Sequence, residues 1–273
     1  MSVEGITRRQ LAGLFAAFGV SSQARADVLQ LELDHFKLRV SDLDRSVIFY
    51  YSLFGSPMTE LQGGSYLTPP DMRAMFMMIG SGKTYMILSP PDSKAPVGLE
   101  HVSMDLAGMR IVARNSIPLA FPDQSYVRDP DGNLIEFVNP GYWWTPIRKP
   151  MPPLPPDVTN RKPVFEALAI QRIALRVSDL QRAADFYRLF GDEVSGAAPK
   201  DRRSFAFPGA ILDLVSGGSA PGLDSFTVAV RSFDAASARL ALGKLGSKAT
   251  DENQPGRVSL RDPDGNRLEV VSA

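Results

Sequence analysis

Hydrophobic and polar positions change their period in a fixed order along the chain. Residues His35 to Val40 alternate as a strand, and Asp42 is placed to cap a helix that runs through Tyr51 and ends at Gly55. Further strand-like runs follow, and an Asp-Pro-Asp-Gly turn reverses the chain before the last of them. These runs are Arg73 to Ile79, Thr84 to Leu88, Leu99 to Leu106, Ser125 to Arg128 and Leu134 to Val138. The pattern predicts an α+β fold.

The same order of elements occurs twice. The motif Val-Ser-Asp-Leu-x-Arg followed by Phe-Tyr begins at Val40 and again at Val177. The motif Arg-Asp-Pro-Asp-Gly-Asn followed by Glu begins at Arg128 and again at Arg261. We therefore predict a tandem duplication, with one domain at residues 31–139 and a second at 166–273. The stretch between them, residues 140–165, is rich in proline and is predicted to be a semi-rigid, polyproline-like linker.

The N-terminal segment, residues 1–26, runs from a basic start through an apolar stretch to small residues, which is the order of a signal peptide. Thr7-Arg8-Arg9-Gln10-Leu11 resembles the twin-arginine export motif. The apolar part, Leu11 to Val20, is shorter than the roughly 20 residues that span a bilayer. We expect export to the periplasm by the twin-arginine route and no membrane span after removal of the signal. The other interpretation of this segment is an amphipathic helix of the fold.

Composition narrows the chemistry. The 273 residues include 30 basic and 30 acidic side chains and no basic run, which argues against a nucleic acid partner. There is no cysteine, so disulfides, thiolate nucleophiles, iron–sulfur clusters and sulfur-based zinc sites are excluded. Any metal must be bound by His, Asp and Glu, and the two histidines of the chain allow one His pair.

The repeated motifs resemble those of the vicinal oxygen chelate superfamily, which includes glyoxalase I, extradiol ring-cleaving dioxygenases, fosfomycin-resistance enzymes and bleomycin-binding proteins. The resemblance covers residues 31 to 272. It implies two tandem vicinal oxygen chelate domains, each built from paired βαβββ modules that curl into a half-open barrel. Because one fold hosts many chemistries, the resemblance defines the fold more narrowly than the reaction.

The resemblance also implies a metal site. Ligands in such domains come from the first strand of each half and the last strand of the second half, which here gives His35, His101 and Glu136. Two imidazoles and one carboxylate leave open coordination positions and favour Fe(II), with Mn(II), Zn(II) or Ni(II) as alternatives. Glu136 interrupts the apolar run Leu134 to Val138, where an unpaired carboxylate would be costly, and a cation is a suitable partner.

The second copy departs from this ligand set. Arg172 stands in the place of His35 and Ser225 in the place of His101, while Glu269 is retained. A guanidinium cannot ligate a cation, but it can bind a carboxylate through two hydrogen bonds. We predict that Arg172 pairs with Glu269 or Asp213 and replaces the metal, which makes the second copy a structural or substrate-framing domain.

The first copy differs from glyoxalase I, for which the resemblance implies a fourth ligand near Thr84 to Leu88, where no Glu, Gln or His occurs. Extradiol dioxygenases carry a tyrosine ten residues before the ligand Glu, and Tyr126 occupies that place. Its phenol is predicted to be catalytic by hydrogen bonding to a metal-bound oxygen or to the substrate, with cross-strand packing as the alternative. Their additional histidines have no counterpart, so proton transfer falls to Tyr126 or water.

These observations lead to a metal-dependent enzyme, and the first hypothesis is an Fe(II)-type dioxygenase acting on a small oxygenated or phenolic substrate. A metal-dependent isomerase or lyase of the glyoxalase or epimerase type is one alternative. A non-enzymatic small-molecule binding or resistance protein is another. The expected partner is a small molecule, and the fold is compatible with a homodimer.

Overall fold

The computed structural model describes the chain from residue 31 to its end with several gaps. The described residues are 31–56, 58–62, 73–91, 96–105, 124–138, 148–150, 154–188, 190–195, 199–217, 220–249 and 255–273. The predicted signal segment, residues 1–26, lies outside them. Within the described part of the chain, no helix combines the length and apolarity needed to cross a membrane.

The elements of the first half follow the predicted order. A strand and a helix open it, and paired strands complete it. They are β1 (Glu32–Arg39), α1 (Leu43–Phe54), β2 (Met58–Gln62), β3 (Arg73–Met77), β4 (Tyr85–Ser89), β5 (Gly98–Asp105), β6 (Gln124–Arg128) and β7 (Leu134–Val138). The boundaries of the predicted strands agree with the structure to within about two residues, except that β1 begins at Glu32, three residues before the predicted start. Strand β2 was not predicted.

The second half repeats this order after a short connecting region. The connection contributes β8 (Arg148–Pro150) and α2 (Pro156–Thr159). The remaining elements are β9 (Ala167–Val177), α3 (Leu180–Tyr187), β10 (Asp192–Glu193), β11 (Arg202–Phe207), β12 (Ala210–Ser216), β13 (Gly222–Val230), α4 (Ala235–Lys244), β14 (Arg257–Arg261) and β15 (Arg267–Ser272).

The strands form two mixed sheets with equivalent strand order. The first sheet runs β6-β7-β5-β1-β4-β3-β2-β8 and the second runs β14-β15-β13-β9-β12-β11-β10. In each sheet the two central strands are antiparallel, and each central strand has a parallel neighbour on its outer side. Both sheets are open, which agrees with the half-open barrels expected from the sequence.

The helices begin where the sequence predicts. Asp42 has extended backbone geometry and its carboxylate accepts a hydrogen bond from Arg45 N, and Asp179 accepts equivalently from Arg182 N at the start of α3. Helix α1 ends at Gly55, which adopts the left-handed conformation with φ 58°. A Cβ atom at Gly55 would also lie 3.0 Å from Pro163, so both conformation and space favour glycine there.

The connecting region differs from the predicted polyproline-like linker. Strand β8 pairs with β2 and extends the first sheet, and α2 makes one helical turn. The helix begins at Pro156, where the missing amide of proline is no loss because the first helical amides have no partner inside the helix. Beyond it, Phe165 N donates to Leu53 O, which attaches the chain to the end of α1.

The repeated motifs bind the two halves to each other reciprocally. The hydroxyl of Tyr50 on α1 donates to Asp262 Oδ2 at 2.8 Å, and the hydroxyl of Tyr187 on α3 donates to Asp129 Oδ2 at 3.1 Å. Burial, followed by the charge of the neighbouring carboxylate, raises the pKa of both phenols, which keeps them protonated donors. The same pairing recurs at the helix starts, where Ser41 N donates to Asp264 and Ser178 N to Asp131.

One hydrophobic core spans both halves. It includes Phe36, Leu53 and Ile135 from the first half together with Phe226 and Val270 from the second. The rings of Phe36 and Phe226 lie 5.0 Å apart between centroids. One face of each sheet is thus buried in this shared core, and the opposite face is left for other contacts.

Candidate metal centre

The three predicted ligands meet on the polar face of the first sheet. His35 lies on β1, His101 on the adjacent strand β5, and Glu136 on β7, the parallel neighbour of β5. His35 Nε2 is 3.1 Å from His101 Nε2, and Glu136 Oε2 is 3.4 Å and 3.3 Å from these two nitrogens. Three His, Cys, Asp or Glu side chains with ligand atoms within 4.8 Å of one another could hold a metal ion. Among the described residues, His35, His101 and Glu136 form such a group.

Two register shifts in the central strands shape the site. Leu33 and His35 pair with Met104 and Ser103, so Asp34 is an extra residue on β1. An equivalent shift makes Glu100 an extra residue on β5, directly before His101. A β-bulge of this kind interrupts the alternation of side chains and brings neighbouring residues toward the same face. Each bulge therefore places an acidic residue beside a histidine.

The bulge on β1 surrounds His35 with bonded partners. Asp34 Oδ2 accepts from His35 Nδ1 at 2.7 Å and also from the hydroxyl of Tyr85 at 2.8 Å. The Tyr85 ring stacks on the His35 ring with a centroid distance of 4.9 Å and an interplanar angle of 17°. The His35 ring is fully buried and is fixed from two sides.

The bulge on β5 gives His101 a different environment. Glu100 Oε1 is 3.7 Å from His101 Nδ1, which is too long for a hydrogen bond. Glu100 instead pairs with Lys37 and Arg39 of β1, each at 3.2 Å. Burial opposes ionisation of Glu100, but the nearby His101 and the two cations outweigh it and lower its pKa to about 2.

Tyr126 lies opposite Glu136 in the pairing of β6 with β7. Its hydroxyl donates to Glu136 Oε1 at 2.6 Å, and its ring contacts the edge of His101 at 5.7 Å between centroids. Tyr126 thus joins the cluster by holding the carboxylate oxygen that does not face the histidines. Burial, followed by the charge of Glu136, raises the pKa of Tyr126, so the hydroxyl retains its proton.

The electrostatics of the three ligand side chains favour a bound cation. Burial opposes ionisation of Glu136, yet the nearby imidazoles of His101 and His35 and the hydrogen bond from Tyr126 outweigh it and lower its pKa to about 2. Burial likewise disfavours a charged His101, and the negative charge of Glu136 overrides it and raises the pKa. The fully buried Oε2 of Glu136 makes no hydrogen bond with a described residue. An anionic oxygen without a hydrogen bond, facing two imidazole nitrogens, is the donor set of a divalent transition metal.

The spacing of these donors also fits an ion. Nitrogen and oxygen ligands at about 2.0–2.2 Å from a metal lie roughly 2.8–3.6 Å apart, from octahedral to tetrahedral angles. The three measured separations, 3.1, 3.3 and 3.4 Å, fall in this range. The side chains therefore need little rearrangement to share one ion.

The place of a fourth protein ligand is apolar. In the pairing of β5 with β7, Glu136 lies opposite Ser103, two residues after His101. In the pairing of β1 with β4, Ile87 lies opposite Lys37, two residues after His35, so Ile87 holds the place that corresponds to Glu136. Ile87 packs with Ala74, Phe76 and Tyr85 in a small hydrophobic cluster on this side of the sheet. The structure thus places three side chains that could bind a metal beside an apolar wall.

The second sheet has a different arrangement at the equivalent place. Arg172 donates from Nε and Nη2 to the two carboxylate oxygens of Asp213, both at 2.8 Å, which confirms one of its two predicted pairings. Glu269 is paired with Arg257 and Arg267 at 2.6 and 2.7 Å instead. Asp213 and Glu269 on this face are thus both paired with arginine.

Sequence reasoning missed Asp34, Tyr85 and Glu100. The signal for the two acids was present, because an acidic residue directly precedes each histidine. Strict alternation along a strand assigns such neighbours to the opposite face, and the bulges overturn that assignment. Tyr85 had no local signal, since its place beside His35 depends on the parallel pairing of β4 with β1.

Comparison with known proteins identifies the fold. No family model matches the chain, and no curated protein matches it. Among solved structures, the 2,3-dioxygenase LapB from Pseudomonas sp. KL28 matches with a TM-score of 0.59 and 13% identity, over 89% of this chain and 92% of that one. A variant of 4-hydroxymandelate synthase from Streptomyces coelicolor matches with a TM-score of 0.58 and 14% identity, over 88% of this chain and 92% of that one. Homoprotocatechuate 2,3-dioxygenase from Arthrobacter globiformis matches with a TM-score of 0.55 and 12% identity, over 89% of this chain and 79% of that one. The chain therefore shares the fold of these two dioxygenases and of 4-hydroxymandelate synthase.

Proposed function

We propose that this protein is a metal-dependent enzyme of the vicinal oxygen chelate superfamily, an Fe(II)-type dioxygenase that acts on a small oxygenated or phenolic substrate. Residues 31–139 form the metal-binding domain, with His35, His101 and Glu136 as ligands. The observation that carries the proposal is the buried triangle of two Nε2 atoms and one carboxylate oxygen with edges of 3.1 to 3.4 Å.

When bound, the ion would supply a Lewis acid with open positions for substrate and, if it is iron, the centre that activates O₂. The protein contributes orientation and shape. Tyr126 holds Glu136 through Oε1, and Asp34 holds His35 through Nδ1. The apolar cluster of Phe76, Tyr85 and Ile87 forms a wall on the same side of the sheet, which fits an aromatic substrate.

We propose that Tyr126 is also the catalytic proton donor. Its hydroxyl bonds Glu136 and its ring contacts the His101 ring, so the phenol lies next to two of the three ligands. Both histidines of the chain are used as ligands in this proposal, so neither is left as an acid, and Tyr126 is the proton-bearing side chain that is bonded directly to one of the three ligands.

A metal-dependent isomerase or lyase is disfavoured by the same geometry, because such a reaction needs a general base. The acids that adjoin the ligands are already engaged: Asp34 accepts from His35 and Tyr85, and Glu100 pairs with Lys37 and Arg39. A purely sequestering protein would have no use for a complete ligand set. Mn(II), Zn(II) and Ni(II) suit the same donors as Fe(II), and metal analysis distinguishes them.

In this proposal residues 166–273 form a domain that binds no metal. The Arg172–Asp213 pair takes the place of the metal and its ligands, and the domain has a structural or substrate-framing role. Residues 1–26 act as a twin-arginine signal that directs the protein to the periplasm. The partner is a small molecule rather than nucleic acid, and a homodimer is compatible with a site contained in one chain.

The protein is first loaded with Fe(II) under anaerobic conditions. The test then measures its oxygen consumption in air-saturated buffer. We expect uptake with members of a panel of catechols and hydroquinones, and no uptake when Glu136→Gln replaces the wild type. Arg172→Met, which changes the equivalent place in the second half, serves as the matched control and retains iron. Absence of uptake by iron-loaded wild-type protein with every compound would refute the dioxygenase assignment.

A further inference from the structure

We propose that Asp34 is the positioning residue that makes His35 a competent metal ligand, by holding the imidazole proton on Nδ1 so that the Nε2 lone pair faces the other two ligands. The inference rests on the proposed function, because it concerns the same metal. It assigns a role to a residue that alternation along β1 would place on the opposite face.

The geometry around the His35 ring defines its tautomer. A neutral imidazole carries one proton, which resides on the nitrogen that has the stronger acceptor. Nδ1 lies 2.7 Å from the carboxylate of Asp34, while Nε2 lies 3.1 Å from His101 Nε2 and 3.4 Å from Glu136 Oε2. The short contact with Asp34 therefore places the proton on Nδ1, and the Nε2 lone pair is directed at the site.

Tyr85 supports this arrangement from the neighbouring strand. Its hydroxyl donates to the same oxygen, Asp34 Oδ2, and its ring stacks on the imidazole. One side chain thus fixes both the carboxylate and the ring that it binds. A carboxylate behind a ligating histidine orients the ring and increases its basicity, and loss of such a partner costs about 10- to 100-fold in metal affinity.

The two internal comparisons in the chain agree with this role. The second sheet has a register shift on β9 equivalent to that on β1, and there Gln171 precedes Arg172, so this strand lacks both the histidine and the acid before it. On β5, Glu100 is bound to Lys37 and Arg39 and lies 3.7 Å from His101. Of the two acids, Asp34 is the one that binds a histidine.

The first experiment measures the affinity for Co(II), by competition with a chromogenic chelator, for the wild type and two variants. Asp34→Asn keeps the shape of the side chain and removes its charge, and we expect Co(II) to bind 10- to 100-fold more weakly. Glu32→Gln is the matched control, since Glu32 is an acid of the same strand that pairs with Lys83 away from the site. It should bind Co(II) within twofold of the wild type. Equal affinity of Asp34→Asn and wild type would overturn the inference.

The second experiment reads the tautomer directly in metal-free protein. The chain has two histidines, so the ¹⁵N-labelled imidazoles give two sets of NMR signals, which His101→Gln assigns. We expect the proton of His35 on Nδ1 in the wild type, and a shift toward Nε2 in Asp34→Leu, which has no acceptor. A wild-type His35 protonated on Nε2 alone would refute the inference. Failure of the wild type to bind Co(II) would instead refute the proposed function, and the tautomer would still decide the role of Asp34.

Discussion

Replacing Tyr50 with phenylalanine tests whether the repeated motifs act mainly to join the two halves of the protein. The Tyr50 hydroxyl is fully buried and donates to Asp262 Oδ2 at 2.8 Å across the contact between the halves. The change removes that single bond and leaves the ring in the core beside Phe226.

The expected loss follows from what Asp262 retains. Its carboxylate still accepts from Asp264 N, Asn266 N and Asn266 Nδ2, so it is not left without partners. A hydrogen bond to a charged group contributes about 1.5–3 kcal/mol, and we expect Tyr50→Phe to lower the free energy of unfolding by about 2 kcal/mol. Tyr187→Phe breaks the reciprocal bond to Asp129 and should cost a similar amount. The two losses should add, because the bonds share no partner.

The assay is urea unfolding of metal-free protein followed by circular dichroism. Tyr51→Phe is the control, because Tyr51 is the next residue on the same helix and is half-buried, and it should change stability by less than about 0.5 kcal/mol. Because one core spans both halves, we also expect a single transition. A Tyr50→Phe protein as stable as the Tyr51→Phe control, or separate unfolding of the two halves, would refute the reasoning.

Three further outcomes are expected. Glu100 has a pKa lowered to about 2, so its contribution to stability is present above pH 4.5 and is lost as the pH falls toward 2. Glu100→Gln should therefore flatten the dependence of unfolding free energy on pH between 5 and 3, and an unchanged slope would contradict the assignment. Arg172→Met removes one partner of the buried Asp213 and leaves Arg202 and Ser204. The free energy of unfolding, measured by thermal denaturation, should fall by about 1–3 kcal/mol, and the double variant Arg172→Met/Asp213→Leu should recover part of that loss. Tyr126→Phe should lower kcat of the iron-loaded enzyme by about 10²-fold with little change in KM, and an unaltered kcat would exclude a proton-donating role.

The sequence was sufficient for most elements of the two repeats, because their strands and helix caps depend on local patterns. Asp42 and Asp179 precede their helices as capping residues, and the Asp-Pro-Asp-Gly turns leave little choice of conformation. The candidate ligands His35, His101 and Glu136 were implied by the family resemblance that the repeated motifs carry. The same motifs proved to have a structural role as well, since their Tyr and Asp residues join the halves.

What the sequence could not predict depends on pairing between distant strands. The bulges that bring Asp34 and Glu100 beside the histidines exist only because β1 pairs with β5 out of regular register. The short helix α2 within the proline-rich connection is stabilised by tertiary contact, with Val158 buried and the following chain attached to α1. Propensity alone disfavours a helix there, and packing overrides it.

Metal stoichiometry tests the central claim most directly. Protein loaded with Fe(II) under anaerobic conditions, freed of excess metal and analysed by mass spectrometry, should contain one iron per chain. His35→Ala, His101→Ala and Glu136→Ala should each abolish that binding while the protein remains folded by circular dichroism. A wild-type protein that retains no transition metal, or ligand variants that retain it undiminished, would contradict the account.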